Sequence, residues 1–433
     1  MTATPMPGVQ ELNTEVKQLF STTHSNPRVI RLAIRMRDMI DEAPLKEAVS
    51  KAAQRYPYLC VRLEMQEGQL VLARNRRDVP IFHSPDPHPL AGAEAGYHLI
   101  AFSWWNNWIY LDVFHGLSDG TGAYALVRTL LWYYCEARYG LSLEGEHVRL
   151  LGEPIAPSEW KDPTLRDDLP HPPAPVEREA AFDLLEDGGL GPKVPARDFA
   201  ISIPEAEFMR FNVQNDGSPA TMISLLLCRA VERLYPERVK PLRVNLCVNQ
   251  RPALGAPNAR HNLVGMATLE YHDGMRSWPI ARQGTIFRGQ TLVKTLEGRV
   301  LAGVAAQRSM AQRLMGMESN AERASFCASL EPAARRAATA TVSYVGKANF
   351  EGSESYIRDM RLTTGQTMPV LLEVSAVNGI FKLDLMQTFK SDALVRALCR
   401  ELEDGGITYD LQDVRPVRLA AMDLPWLPLS GIQ

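Results

Sequence analysis

Eight consecutive residues, Val113-Phe114-His115-Gly116-Leu117-Ser118-Asp119-Gly120, constrain this chain more than any other stretch. The run Asn107 to Phe114 before them predicts a buried strand, and the apolar spacing of Thr121 to Tyr139 after them predicts an amphipathic helix. A strand, a tight glycine-containing turn and a helix start together hold a side chain rigidly at a cavity edge. Strand alternation places His115 on the face of Ile109, Leu111 and Val113, all apolar. Partial desolvation there lowers an imidazole pKa and favours the neutral, basic form.

Two chemistries fit these residues. His115 in the pattern His-x-x-x-Asp-Gly suits a general base. Gly116-Leu117-Ser118-Asp119-Gly120 also fits Gly-x-Ser-x-Gly, the nucleophile elbow of serine hydrolases. A structural alternative makes Ser118 or Asp119 the helix N-cap and His115 a satisfied strand-end histidine. The hydrolase pattern ranks low, because it needs a histidine late in the chain. Here His272 is the last, with a long histidine-free tail after it.

Charge narrows the partners. Lys and Arg number 47 against 50 Asp and Glu, a formal net charge of -3, so nothing points to nucleic acid. No apolar run approaches the roughly 18 residues that span a bilayer. Met1 to Pro7 lacks the basic and apolar regions of a leader. Cys60, Cys135, Cys228, Cys247, Cys327 and Cys399 are scattered, with no Cys-x-x-Cys pair, and read as free thiols in a reducing cytoplasm. His261 and His272 read as surface-loop residues rather than metal ligands, and no metal site is expected.

In chain order, Arg28 to Met36 reads as a strand and Glu42 to Arg55 as a helix. Hairpins are expected over Cys60 to Ala73 and over Tyr97 to Phe114, the latter turning at Asn106-Asn107. Gly140 reads as the C-cap of the long helix. From Glu153 to Pro204 prolines are dense and periodicity is lost, the best place for a connection packed along the surface. The second half restarts with a strand at Asp198 to Ile203 and a helix from about Glu205. Helix Thr221 to Tyr235, strands Leu242 to Val248 and Leu263 to Tyr271, and helical patterns over Trp278 to Met317 and Ala321 to Ala338 follow. Strands resume at Thr341 to Val345, Tyr356 to Leu362, Val370 to Val377 and Ile380 to Phe389, and Ser391 caps a last helix. Both halves mix strands with long helices, which predicts an α+β protein of two similar-sized units.

The turn after the apolar strand resembles the His-His-x-x-x-Asp-Gly signature shared by chloramphenicol acetyltransferases, peptide-synthetase condensation domains and alcohol O-acetyltransferases. Further segments resemble that superfamily in the same order: Gln54-Arg55-Tyr56-Pro57-Tyr58-Leu59, Asn249-Gln250-Arg251-Pro252 followed by Asn262 to Met266, and Thr341 to Gly346. Phe114 stands where the first histidine of the pair falls, and the Asp-Phe-Gly-Trp-Gly motif of plant-type acyltransferases is absent. The resemblance implies two acetyltransferase-like subdomains meeting in a V around a central channel. Residues 1–152 would form the first, 153–198 the connection and 199–433 the second. It implies His115 as the catalytic base, Asp119 paired with Arg251 as support for the loop, and Gly120 allowing a tight turn near substrate. The Gly120 N–H and the Ser343 hydroxyl are the candidates for oxyanion or substrate contact.

The implied reaction moves an acyl group from a thioester to a hydroxyl acceptor. Acyl-CoA is the expected co-substrate, and a carrier-protein-bound phosphopantetheine thioester or an amine acceptor is the alternative. A non-catalytic binding protein of the same fold is the rival of another class.

Overall fold

The computed structural model describes residues 8–174, 178–365 and 367–427. Met1 to Pro7, read above for a leader, and Pro175 of the proline-rich stretch lie outside the described residues.

The first sheet is built around the strand that leads to His115. Trp108–Phe114 pairs antiparallel with Ile100–Trp105 across the Asn106-Asn107 turn, and with Val29–Met36 on its other side. Asn106 takes φ 54°, a left-handed conformation that asparagine tolerates well. Ile81–His83 closes one edge in parallel and Ile357–Thr364 closes the other. The helix Gly120–Tyr139 begins directly after the turn and ends at Gly140, whose φ is 65°. It packs against helix Glu42–Arg55. Its Leu126, Leu130 and Leu131 share one buried core with Leu32, Ile109 and Leu111 of the sheet. A small three-stranded sheet, Val9–Glu11, Gln69–Arg74 and Val61–Gln66, completes this body, with the hairpin turning at Glu67 and Gly68 in positive φ.

The second sheet runs in the order Val264–Tyr271, Leu242–Asn249, Ala340–Lys347, Val370–Val377, Ile380–Gln387, Arg197–Pro204 and Asp410–Leu411. Ala340–Lys347 is parallel to both its neighbours and the rest is antiparallel. Helices Pro219–Leu234 and Ala393–Asp404 bury their apolar faces in its core. The helical stretch expected over Trp278 to Met317 is two helices, Ile280–Lys294 and Glu297–Met315. The chain is therefore an α+β protein with two mixed sheets, each with its own core.

Two features differ from the sequence reading. Ile357–Thr364 lies by sequence in the second half, yet it pairs with Val29–Met36 in the first sheet. Period-two patterning identifies a strand, but it does not say which edge the strand completes. From there Arg361 reaches back into the second body. Its Nε donates to Asp384 Oδ1 at 2.9 Å, and its NH2 donates to Asp198 Oδ2. The proline-rich connection is also not confined to the surface. Glu159 is buried and bonded to Arg55 at 3.0 and 3.1 Å and to the Tyr58 hydroxyl at 2.6 Å, while Phe182, Leu184 and Leu185 enter the second core. These anchors insert singly, so they leave no periodic trace in the sequence.

Burial and the neighbouring Asp384 push Asp198 up to about 7, and Arg361 is the charge that opposes this. Arg361→Ala should leave two carboxylates buried without their partner, costing about 3–5 kcal/mol at neutral pH. Raised carboxyl pKa values mean that stability falls as these groups ionise. The loss should therefore be larger at about pH 8 than at about pH 5, read as the shift in thermal midpoint at each pH.

Candidate active site

His115 follows the last residue of its strand, and its backbone N–H donates to the Arg28 carbonyl at 2.8 Å, which extends the pairing one step into the turn. The ring is half-buried. Nδ1 stands 3.3 Å from the Ser118 carbonyl oxygen and 3.2 Å from Asn262 Nδ2. The Asn262 amide makes its shorter contact with the His115 carbonyl, donating at 2.8 Å. A hydrogen on Nδ1 satisfies the Ser118 carbonyl and leaves the Nε2 lone pair free. Burial holds the imidazole below its ordinary pKa, against the opposing pull of the Asp119 charge and the Ser118 carbonyl. The neutral ring is thus the favoured form near pH 7.

Asp119 is engaged by Arg251. Its oxygens receive the Arg251 guanidinium in a two-pronged contact, NH1 to Oδ2 at 2.7 Å and NH2 to Oδ1 at 2.9 Å, with both side chains buried. Oδ2 also accepts from the Leu263 N–H at 2.9 Å, and Oδ1 caps the helix by accepting from the Gly122 N–H at 3.1 Å. Arg251 spends its remaining donors on the carbonyls of Ala259 and His261, at 2.8 to 3.0 Å, and on Asn249 Oδ1 at 3.3 Å. The pair thereby ties the turn in the first body to the segment 249–263 of the second.

Ser118 does not stand at an elbow. It is fully buried and its hydroxyl donates to the Arg260 carbonyl at 2.7 Å, so it is a bracing contact rather than a nucleophile. Gly122 is required there, because a Cβ would run into Ser118 Oγ and the Arg260 carbonyl. His261 is not a surface residue as expected. It is buried, since the strand of contacts around Arg251 draws its segment inward, and burial takes its ring down to about 3. All six cysteines are free, and among the described residues no three His, Cys, Asp or Glu side chains gather as a metal site.

A cavity of about 460 Å³ lies between the bodies, bordered by His115 and Gly120 from the first and by Asn245, Cys247, Ser343 and Glu373 from the second. A Cβ on Gly120 would collide with Val345, so the strand Ala340–Lys347 comes right up to the turn that carries His115. Ser343 borders the cavity two residues before that contact. Lys17 and Ser21, from the N-terminal helix Thr14–Phe20 and the residue after it, also border it. Asn262, Glu373 and this N-terminal helix are site features that sequence reasoning did not assign. Asn262 was visible only as a polar residue opening a motif segment, and Glu373 only as one charge within an apolar strand.

No family model matches the chain, and no curated protein matches it either. Solved structures do. Polyketide synthase associated protein 5 from Mycobacterium tuberculosis superposes with a TM-score of 0.61 at 14% identity, covering 91% of this chain and 98% of that one. TRI101 of F. sporotrichioides, complexed with coenzyme A and T-2, gives 0.59 at 12% identity, covering 93% and 99%. The first condensation domain of the calcium-dependent antibiotic synthetase, in complex with a substrate analogue, gives 0.58 at 14%, covering 92% and 95%. The chain has the two-part, chloramphenicol-acetyltransferase-like fold of these proteins over nearly its whole length.

Asp119→Ala should strand the buried Arg251 cation and cost about 3–5 kcal/mol. The expected readout is a lowered thermal midpoint in a protein that still folds, with Arg251→Lys only partly tolerated because an ammonium cannot reproduce the two-pronged contact.

Proposed function

We propose that this chain is an acyltransferase, moving an acyl group from a phosphopantetheine thioester, with acyl-CoA as the expected donor, to the hydroxyl of a small-molecule acceptor. One observation carries the reading: a half-buried imidazole with Nδ1 engaged borders a cavity enclosed by two bodies of this fold. In this scheme the unengaged Nε2 of His115 accepts the acceptor's hydroxyl proton as its oxygen attacks the thioester carbonyl. The carbonyl becomes a tetrahedral oxyanion, the C–S bond breaks, and the imidazolium returns its proton to the departing thiolate. The products are an ester and a free thiol, with no covalent enzyme intermediate.

General-base help of this kind is worth roughly 10² to 10⁴ in rate. Asp119 and Arg251 act by fixing the turn, which keeps the imidazole where the two substrates meet. The oxyanion would be met by the Gly120 N–H at the helix start or by the Ser343 hydroxyl, a donor worth about 10² to 10³. The likeness to TRI101, whose structure holds coenzyme A, supports a coenzyme A donor. The likeness to a condensation domain supports a second reading, in which a carrier protein presents the same thioester and an amine is the acceptor. Base chemistry at His115 is common to both.

The test is thiol release from short and long acyl-CoA donors against a panel of alcohols, with products identified by mass. His115→Ala should lose roughly 10² to 10⁴ in kcat/KM while remaining folded. Ser118→Ala should keep most activity. The wild-type rate should fall as pH drops through a value below histidine's ordinary 6.5, because His115 gains its proton there. Full activity in His115→Ala sinks the scheme, and tight ligand binding without any thiol release points to the non-catalytic member of this fold.

A further inference from the structure

One carboxyl group on the cavity wall has no part in the scheme above. Glu373 sits in the middle of strand Val370–Val377, is only 4% exposed, and its Oε2 has no hydrogen-bond partner. Its register partner on the adjacent parallel strand is Ser343, and both side chains border the same cavity. The other groups around it supply no cation of its own. Asp384 stands opposite on the next strand and is taken up by Arg361. Tyr124, from the helix that begins at the catalytic turn, is held protonated by burial and has no partner for its hydroxyl. Cys247, on the other side of Ser343, is pushed up to about 12 by burial and stays a thiol. An ionised Glu373 would be a desolvated charge with one oxygen unsatisfied and a second carboxylate alongside, which is a costly arrangement. A neutral carboxyl relieves the charge and gains a hydrogen to donate.

We propose that Glu373 is a positioning residue that sets the direction of the Ser343 O–H. As a carboxylic acid it donates to Ser343 Oγ, and the serine hydrogen turns into the cavity toward the developing oxyanion. As a carboxylate it draws that hydrogen to itself, and the cavity loses a donor. Ser343 is placed for this because its strand meets the catalytic turn at Val345, against Gly120. The inference rests on the acyl-transfer reading, and it assigns Ser343 rather than Gly120 alone to the oxyanion.

Burial and Asp384 raise Glu373 to about 7, with the neighbouring Ser343 hydroxyl opposing them. The donor-ready state is therefore present below that value and lost above it. With His115 needing to be neutral, kcat/KM should follow a bell in pH whose alkaline limb belongs to Glu373.

Three variants and one spectrum decide it. Glutamine at this position presents an amide N–H to Ser343 at every pH, so Glu373→Gln should retain activity and flatten the alkaline limb. Ser343→Ala should lose about 10² to 10³ in kcat. Adding Glu373→Gln to Ser343→Ala should change nothing further, because the first acts only through the second. An unchanged alkaline limb in Glu373→Gln, or losses that multiply in the double variant, would overturn the proposal. Infrared difference spectra between the wild type and Glu373→Gln give a readout independent of turnover. They should show a protonated-carboxyl band that disappears as pH rises through about 7 and shifts in Ser343→Ala. If the band is present but no thioester is ever consumed, the acyl-transfer reading fails while the Glu373–Ser343 couple stands. If transfer proceeds and the band is absent at acidic pH, the couple fails and the transferase reading stands.

Discussion

The buried ion pair between Asp119 and Arg251 is the contact on which the site depends. Two unit charges have been taken out of water, and such a pair holds only when every remaining donor and lone pair is used. Here they are. Asp119 serves the guanidinium, the Leu263 amide and the helix start, while Arg251 reaches the carbonyls of Ala259 and His261 further along its own segment. One carboxylate therefore fixes three things at once: the turn that ends the His115 strand, the direction of the helix Gly120–Tyr139, and the seat of the second body against the first. The energetics favour rigidity over net stability, since an apolar filler could pack the same space without fixing geometry.

A second tie lies at the other end of the interface. Strand Ile357–Thr364 completes the first sheet while its Arg361 holds Asp384 and Asp198 of the second. Between these two polar anchors the bodies do not close, and the cavity with His115 occupies the gap. Its walls lower the local dielectric, which keeps the imidazole neutral and strengthens any hydrogen bond offered to a charge that develops there. The same desolvation raises Glu373 and lowers His115, so one physical cause favours a neutral imidazole and a neutral carboxyl around one cavity.

Much of the local structure could be read in advance. The strand Trp108–Phe114, the helix from Gly120, the Gly140 stop and the turn at Asn106-Asn107 each announce themselves by periodicity or by a residue suited to a special backbone angle. The place of His115 and Asp119, between the end of a strand and the start of a helix, was legible from the patterns on either side. Asn262 and Glu373 were not, since an asparagine before a strand and a single acid within one are common and carry no spacing signal. Ser118 was misleading for the same reason: a short pattern specifies residue types without specifying which way a hydroxyl points.

The sequence by itself determined most of the elements and the turn that carries His115, because these follow from nearest neighbours along the chain and from their periodicities. Only the tertiary structure decided that Ile357–Thr364 crosses to the first sheet, that residues within 153–198 are stitched into both cores, and that Ser343 and Glu373 line one cavity with His115. Those outcomes depend on which surfaces meet in space. Burial, charge pairing and the direction of a hydrogen bond are properties of that meeting and of no single stretch of chain.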